Sequence, residues 1–226
     1  MYRHIFFRIV LLVVFSFTLS SRVIGQNLTK QDWPSGEVVL VNGDTLTGAV
    51  SYYLSKELIQ VTGRDGLIKT FSPVNVVYFR VLNEQRQEFQ TFRPFQYAPN
   101  PEEPYFKTPT FFEVVTEGKY TLVKRSNFVV RNLDPIATYT SRGRFYEPCP
   151  VLPQKAGLNN YQLAQLNVFY LLTPDEQLIP LRHPKKNLEN LYQDKSASMK
   201  AFIRRRNLSY KNPVALTHVV QYFNHL

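Results

Sequence analysis

The stretch 36–53 constrains the fold of this chain more than any other, because two runs of β-forming residues flank Asn42-Gly43 there. Asn-Gly is the dipeptide that most readily takes positive φ at both centres of a type I′ turn. The stretch therefore predicts a β-hairpin whose turn is Asn42, Gly43 and Asp44. Val39 and Val41 alternate with Val38 and Leu40 in its first arm, which predicts a strand that is covered on both faces.

The second arm of this hairpin has the period of two that is typical of a half-buried strand. Leu46, Gly48, Val50 and Tyr52 share one face, and the residues between them form a wetter face. Gly48 has no side chain to pack, so it predicts a bulge, a sharp bend or a close approach of another backbone.

A secretory signal peptide is predicted at the N-terminus. Arg3, His4 and Arg8 flank an apolar run over 9–17, and Val23 and Gly25 suit cleavage after Gly25. The alternative is a retained membrane anchor, but the uncharged segment 9–21 is shorter than the roughly 20 residues that a bilayer requires. We therefore expect an exported protein, periplasmic or surface-associated, with 201 of its 226 residues retained and no transmembrane segment after cleavage.

The remaining chain divides into four regions. Five short β-type runs indicate a β-barrel-like region over 26–88, and a second β region is expected over 111–182. Apolar stripes at helical spacing predict about three short helices over 183–226. Asn212-Pro213 suits the N-cap and first position of the last helix, whose stripe is Leu216, Val219, Val220 and Phe223. The predicted fold class is mainly β (α+β): a small barrel or meander, a second β region and a helical cap.

Between the two β regions lies a segment, 89–110, that is rich in proline and aromatic residues. Its prolines argue against a central strand or an unbroken helix, because proline cannot donate a ladder hydrogen bond. We expect its aromatic side chains to pack along the barrel surface; the alternative is an aromatic platform that stacks on sugars or peptide.

The strands predicted in the second β region begin with a hairpin over 111–124 that turns at Glu117-Gly118. Further strands are predicted at 128–131, 136–140, 165–172 and 178–181.

Positive charge is concentrated in the second half of the chain. Residues 26–118 contain 8 basic and 11 acidic residues, whereas residues 119–226 contain 16 basic and 6 acidic ones. Such asymmetry indicates acidic partners of the second half. Outside the cytoplasm these would be acidic or phosphorylated glycans, lipid headgroups or an envelope protein, and nucleic acid is not expected.

The densest basic cluster is Lys200, Arg204, Arg205 and Arg206, at the end of a predicted helix. One interpretation is that these cations complement the helix macrodipole and keep the outer face wet. The other is a site for an anion or a partner.

The sequence contains no pattern that predicts catalytic residues, a cofactor or a metal site. His218 and His225 are seven positions apart and could face the same way, but a metal site normally has tighter spacing and a third ligand. The carboxylate pairs Glu102-Glu103 and Asp175-Glu176 are chain neighbours in predicted loops, where they would point into water.

Two resemblances follow from these motifs. The pattern Val-x-Leu-x-Asn-Gly-Asp-Thr-Leu-x-Gly-x-Val, over 39–50 and the strands after it, resembles the opening of SH3-like and Sm-like small barrels. More of the chain resembles uncharacterised exported proteins of Bacteroidota bacteria, in residues 36–50, the 112–119 turn and the end 216–224, where Tyr222-Phe223-Asn224 matches their closing aromatic pair and asparagine. That resemblance implies export and no activity.

Together these observations predict a non-catalytic envelope protein that binds a protein partner or an anionic envelope polymer. A hydrolase acting on envelope glycans is one alternative, and its signature would be two carboxylates converging in one cleft. An Sm-like nucleic-acid binder is another, and it would require a cytoplasmic protein.

Overall fold

A computed structural model describes residues 29–84, 87–100, 102–132, 147–148 and 161–226. The chain divides into two compact units, Met1–Lys30 and Gln31–Leu226. Only residues 29 and 30 of the first unit are described, so the predicted signal peptide lies outside the described residues. All that follows concerns the second unit and the strand that leads into it.

The fold is mainly β, as predicted, with one large antiparallel sheet and three short helices after it. The strands are β1 (Lys30–Leu40), β2 (Thr45–Tyr53), β3 (Leu58–Thr62), β4 (Ile68–Phe71), β5 (Val76–Asn83), β6 (Glu88–Tyr97), β7 (Thr108–Thr116), β8 (Thr121–Asn132), β9 (Glu147–Pro148), β10 (Tyr161–Leu172) and β11 (Leu178–Pro180).

Their order in the sheet is β11-β10-β8-β7-β6-β5-β1-β2-β3-β4, and β9 lies beside β10. The five strands predicted in the first region are present, and β5 returns to pair with β1 after a turn of 3-10 helix at Pro73–Asn75. In the described residues β4 and β11 are the two edges, so the sheet is an open meander and is not closed into a barrel.

The first hairpin is present, but its turn differs from the predicted type. Leu40 N–H donates to the Asp44 carbonyl at 2.9 Å, and Gly43 N–H donates to the Leu40 carbonyl at 3.0 Å. Gly43 has a φ of 91°, whereas Asn42 is not among the described residues with positive φ. The connection is thus a three-residue loop that ends in a left-handed glycine, and type I′ geometry at both centres was wrong.

Both faces of the first hairpin can be compared with the predicted pattern. Val50 and Tyr52 are buried while Thr45 and Thr47 are exposed, which confirms the alternation in β2. Val41 is 63% exposed because it belongs to the turn, so coverage of the first arm on both faces was wrong there.

Gly48 lies where another backbone approaches closely. A Cβ built on Gly48 would lie 2.0 Å from the carbonyl oxygen of Thr62, on the neighbouring strand β3. Any side chain would therefore push the strands apart. Of the three uses that the sequence predicted for this glycine, the close approach is the one observed.

Two strands cross the proline-rich segment, which corrects the prediction that proline forbids a central strand there. β6 pairs with β5 and β7 and contains Pro94. Pairing with β5 ends at Phe92, so Pro94 lies in a stretch where only β7 is paired with β6. A proline is tolerated at such a position because no donor is needed on the unpaired side.

The second β region is simpler than the sequence predicted. The separate runs at 119–124 and 128–131 form one strand, β8, which pairs along its length with β10. The predicted strand at 136–140 lies outside the described residues.

Three helices follow the sheet as predicted: α1 (Pro184–Leu191), α2 (Ser196–Arg205) and α3 (Pro213–His225). Asn212 caps α3 as expected, since its side-chain oxygen accepts hydrogen bonds from the N–H groups of Val214 and Ala215 at 2.9 and 3.2 Å. Pro213, at the first helical position, has no donor to lose.

Buried side chains form three clusters. The first joins the helices to the sheet and confirms that the last helix packs against strands; its members include Leu122, Phe169, Leu171, Leu188, Met199, Leu216, Val219, Val220 and Phe223. The second lies among β1–β7 and includes Phe79 and Phe92, stacked 4.5 Å apart. The third holds Phe112, Val123 and Tyr170. Val123 and Tyr170 alternate with Leu122 and Leu171, so the helices cover one face of β8 and β10 only.

Candidate functional site

The candidate site is a groove of about 1190 Å³ between α1, α2 and the segment that leads into α3. We call it the basic groove, because its lining contains six Lys or Arg side chains: Arg182, Lys185, Lys186, Lys200, Arg204 and Lys211. Glu189 is the one carboxylate among its lining residues, and His183 also contributes. All six cations are exposed, so their charges reach solvent at the mouth of the groove.

None of these six cations forms an ion pair in the part of the chain that the structure describes. Elsewhere cations are paired, as Lys124 is with Glu113 at 3.0 Å. Like charges gathered without counter-ions raise the positive potential and attract anions to the groove. The basic groove can therefore accept several negative groups without first breaking ion pairs.

Secondary structure holds these cations in place. Pro184 begins α1, so Lys185 and Lys186 project from its first turn, while Lys200 and Arg204 are one turn apart on α2. Tyr210 also lines the basic groove. Its position is fixed by a hydrogen bond, because its hydroxyl lies 2.5 Å from the Tyr192 hydroxyl. Burial and this hydrogen bond raise the pKa of Tyr192 above its usual range.

The four residues of the predicted basic cluster do not all lie in one groove of the structure. Lys200 and Arg204 line the basic groove, Arg206 lines a different groove, and Arg205 is exposed but belongs to neither lining. Arg204 and Arg205 also lie in the last turn of α2, where cations complement the macrodipole as the sequence suggested.

Sequence reasoning missed four of the six groove cations: Arg182, Lys185, Lys186 and Lys211. The run Arg-His-Pro-Lys-Lys at 182–186 was the signal that could have found three of them. Lys211 is isolated in the sequence and joins the groove only because the segment before α3 lies beside α1 and α2.

The second groove, of about 980 Å³, lies between the β7–β8 turn, the end of α2 and one face of α3. We call it the histidine groove, because His218 and His225 both line it. They do face the same way, as their spacing allowed. In the described residues no three His, Cys, Asp or Glu side chains come together as metal ligands would.

One carboxylate meets a cation away from the grooves, where Glu57 and Arg125 form a half-buried ion pair at 2.7 Å. Glu57 accepts further hydrogen bonds at 3.0 Å from the Tyr52 hydroxyl and from the Phe111 N–H. The Arg125 guanidinium lies over the Tyr97 ring, 5.1 Å from its centre. Burial lowers the pKa of Arg125, but the hydrogen bond and charge of Glu57 outweigh it, so the net pKa is raised.

This half-buried network ties the β2–β3 turn to β7 and β8, and Glu57 has the left-handed φ of 49° there. The Arg125 Nε has no hydrogen-bond partner among the described residues, but the other contacts join three elements, so we assign the network a structural role.

The remaining candidates lie apart from both grooves. Glu102 and Glu103 are in the exposed loop 102–107, and Asp175 and Glu176 are in the exposed turn after β10. Tyr105 and Phe106, in the same loop as Glu102 and Glu103, are 94% and 74% exposed, whereas Phe92, in β6, is a core residue. The aromatic segment 89–110 is therefore only partly packed against the protein.

No described helix has the length and apolar character that crossing a membrane would need.

Comparison of the chain with protein-family models, with curated proteins and with solved structures finds no match. The resemblances to exported Bacteroidota proteins and to SH3-like or Sm-like barrels therefore stay predictions.

Proposed function

We propose that this protein is an exported, non-catalytic component of the cell envelope that binds an anionic polysaccharide through the basic groove. The observation that carries the proposal is the convergence of six cations around one groove; within the described residues none of them has an ion-pair partner, and the lining contains a single carboxylate. Each cation offers charge-assisted hydrogen bonds to carboxylate or phosphate groups.

A polymer suits the groove better than a small anion. Its volume of about 1190 Å³ exceeds the about 300–1,000 Å³ typical of small-molecule pockets. Exposed cations contribute little singly, about 0.2–1 kcal/mol per ion pair, so useful affinity needs several negative groups bound together. A chain with a charge on each repeating unit provides them.

Export supports a glycan as the ligand. The predicted signal peptide would place the mature protein outside the cytoplasm, where acidic polysaccharides are available and nucleic acid is not. Intact mass of the protein from its native host tests this step: a mature chain that begins at Gln26 is expected. A chain that retains Met1 would overturn the proposed location and remove the argument against nucleic acid.

Binding is tested by titrating the mature protein with polygalacturonate, which has one carboxylate per sugar, and with neutral dextran. Polygalacturonate should bind, with affinity that falls as salt rises, because salt screens exposed charges. The variant Lys185→Glu/Lys186→Glu should bind far more weakly than the parent. Lys69→Glu/Lys107→Glu, at two exposed lysines that line neither groove, is the matched control and should leave affinity unchanged.

Other outcomes decide between functions. Equal binding by the parent and the double variant would overturn the role of the basic groove. Tighter binding to single-stranded RNA than to polygalacturonate would favour the nucleic-acid alternative. Release of reducing ends from the polymer would instead indicate a hydrolase.

A further inference from the structure

The basic groove and the histidine groove meet at one residue, Leu208, which lines both. Leu208 lies three residues beyond the last residue of α2 and is half-buried against the helical core. Leu208 thus borders both grooves, and a path from one groove to the other would cross this side chain.

The ridge at Leu208 is held by a well-defined helix end. Asn207 has the left-handed φ of 49° just beyond α2, its N–H donates to the Arg204 carbonyl, and the Leu208 N–H donates to the Ile203 carbonyl. This pair of hydrogen bonds is the Schellman arrangement, which fixes the direction in which the chain leaves the helix. It places Arg204 beside the basic groove and Arg206 beside the histidine groove.

The histidine groove has the groups that a sugar chain would need. Lys119 and Arg206 provide positive charge, and the imidazoles of His218 and His225 can hydrogen-bond to hydroxyl groups. Glu117, its one carboxylate, is engaged by Arg93 at 3.3 Å.

An aromatic pair also lines this second groove. The rings of Phe202 and Tyr222 are stacked with centres 3.9 Å apart and planes 6° from parallel, and both are half-buried. Stacking on each other keeps the rings in one orientation, and a flat aromatic face can pack against the apolar face of a sugar ring.

We propose that the two grooves form one extended site, and that its ligand is an anionic polysaccharide that crosses Leu208. Negative groups of the chain bind the cations of the basic groove, and the following sugars lie in the histidine groove against Phe202, Tyr222 and Arg206. This inference rests on the proposed function and adds the path that the ligand takes across the protein.

Chain length is the variable that tests it. Oligogalacturonides from two to twelve sugars are titrated into the mature protein at physiological salt. Affinity should rise in two stages, first as the basic groove fills and again when the chain is long enough to pass Leu208. Arg206→Gln should weaken binding of the longest oligomer about two- to fivefold and leave the shortest ones unchanged.

Arg205→Gln is the matched control, because it removes the same charge from the neighbouring exposed residue that lines neither groove. It should have little effect at any length, since an exposed charge that does not contact the ligand is screened by salt. Phe202→Leu, which keeps an apolar side chain, should weaken only the longer oligomers, and circular dichroism checks that it folds.

The outcomes separate this inference from the proposed function. If no oligomer binds, the proposed function fails and the extended site fails with it. If affinity stops rising at short length and Arg206→Gln behaves like Arg205→Gln, the basic groove binds glycans alone and the extended site is wrong.

Discussion

Asn224 binds both backbone groups of Tyr120, a residue 104 positions earlier in the chain. Its side-chain oxygen accepts a hydrogen bond from the Tyr120 N–H at 2.8 Å, and its amide donates to the Tyr120 carbonyl at 2.8 Å. The contact joins the end of α3 to the start of β8. A Cβ on Gly118 would lie 2.2 Å from the Asn224 amide nitrogen, so glycine is required beside this contact.

Replacing Asn224 by alanine should lower the free energy of unfolding by about 1–3 kcal/mol, because two half-buried hydrogen bonds are lost. Urea denaturation measures the change. Asn190→Ala removes an exposed asparagine from α1 and should stay within about 0.5 kcal/mol of the parent. Equal midpoints for the two variants would contradict the structural role of Asn224.

Phe223 anchors the same helix by burial. Its ring is 6% exposed, stacks 4.7 Å from the Tyr120 ring and meets the Tyr192 ring at 5.7 Å. Phe223→Ala should cost about 3–5 kcal/mol, since it leaves a cavity in the cluster that joins the helices to the sheet. In the same urea titration, Leu226→Ala at the exposed C-terminus should change little. A parental midpoint for Phe223→Ala would show that α3 is a free tail.

Replacing Gly43 should lower the stability of the protein, and the reason is its backbone conformation alone. Apart from the two adjacent residues of the chain, no described atom lies within 4 Å of the position of an added Cβ, so the φ of 91° alone sets the cost. Gly43→Val should destabilise by about 1–3 kcal/mol, because a β-branched residue is strained at positive φ. Gly43→Asn should cost less, since asparagine tolerates that region. Equal melting temperatures for the two variants would mean that backbone strain does not decide this turn.

Removing Glu57 should be more costly than removing an exposed carboxylate, because the Arg125 side chain is only 19% exposed and would keep its charge without a partner. Glu57→Ala is expected to lose about 1–3 kcal/mol of stability. Glu57→Gln should lose less, since the amide oxygen can still accept hydrogen bonds. Glu103→Ala, in the exposed loop, is the control. Chemical denaturation giving the same value for Glu57→Ala and Glu103→Ala would rule out the half-buried network as a source of stability.

Stability should fall in alkali because of Tyr52. Burial, together with the charge and hydrogen bond of Glu57, raises the pKa of this phenol above its usual value. The stabilisation is complete below the unfolded pKa of about 10 and is lost above it, at up to about 1.4 kcal/mol per pH unit, because only the unfolded chain ionises.

Urea titrations from pH 8 to 11 test this. Tyr52→Phe should have the shallower slope above pH 10, and Tyr105→Phe, at a 94% exposed position, should match the parent. A slope for Tyr52→Phe as steep as that of the parent would assign the alkaline loss to other groups.

The sequence by itself determined the local features of this protein. The first hairpin, the strands after it, the stripes of α1–α3 and the Asn212-Pro213 cap depend on neighbours within a few positions, and period and capping chemistry express such dependence directly. The turn at Asn42-Gly43 was right in place and wrong in type, because the Asn-Gly preference does not specify loop length.

Tertiary structure decided where distant residues meet. Pro94 could enter a strand only because pairing with β5 ends before it, which depends on register and not on propensity. Lys211 joined Lys200 and Arg182 because three segments pack side by side. The Arg125–Glu57 and Asn224–Tyr120 contacts span 68 and 104 residues. The periodicity of a sequence does not predict contacts between residues so far apart in the chain, because the packing of whole strands and helices determines which of them meet.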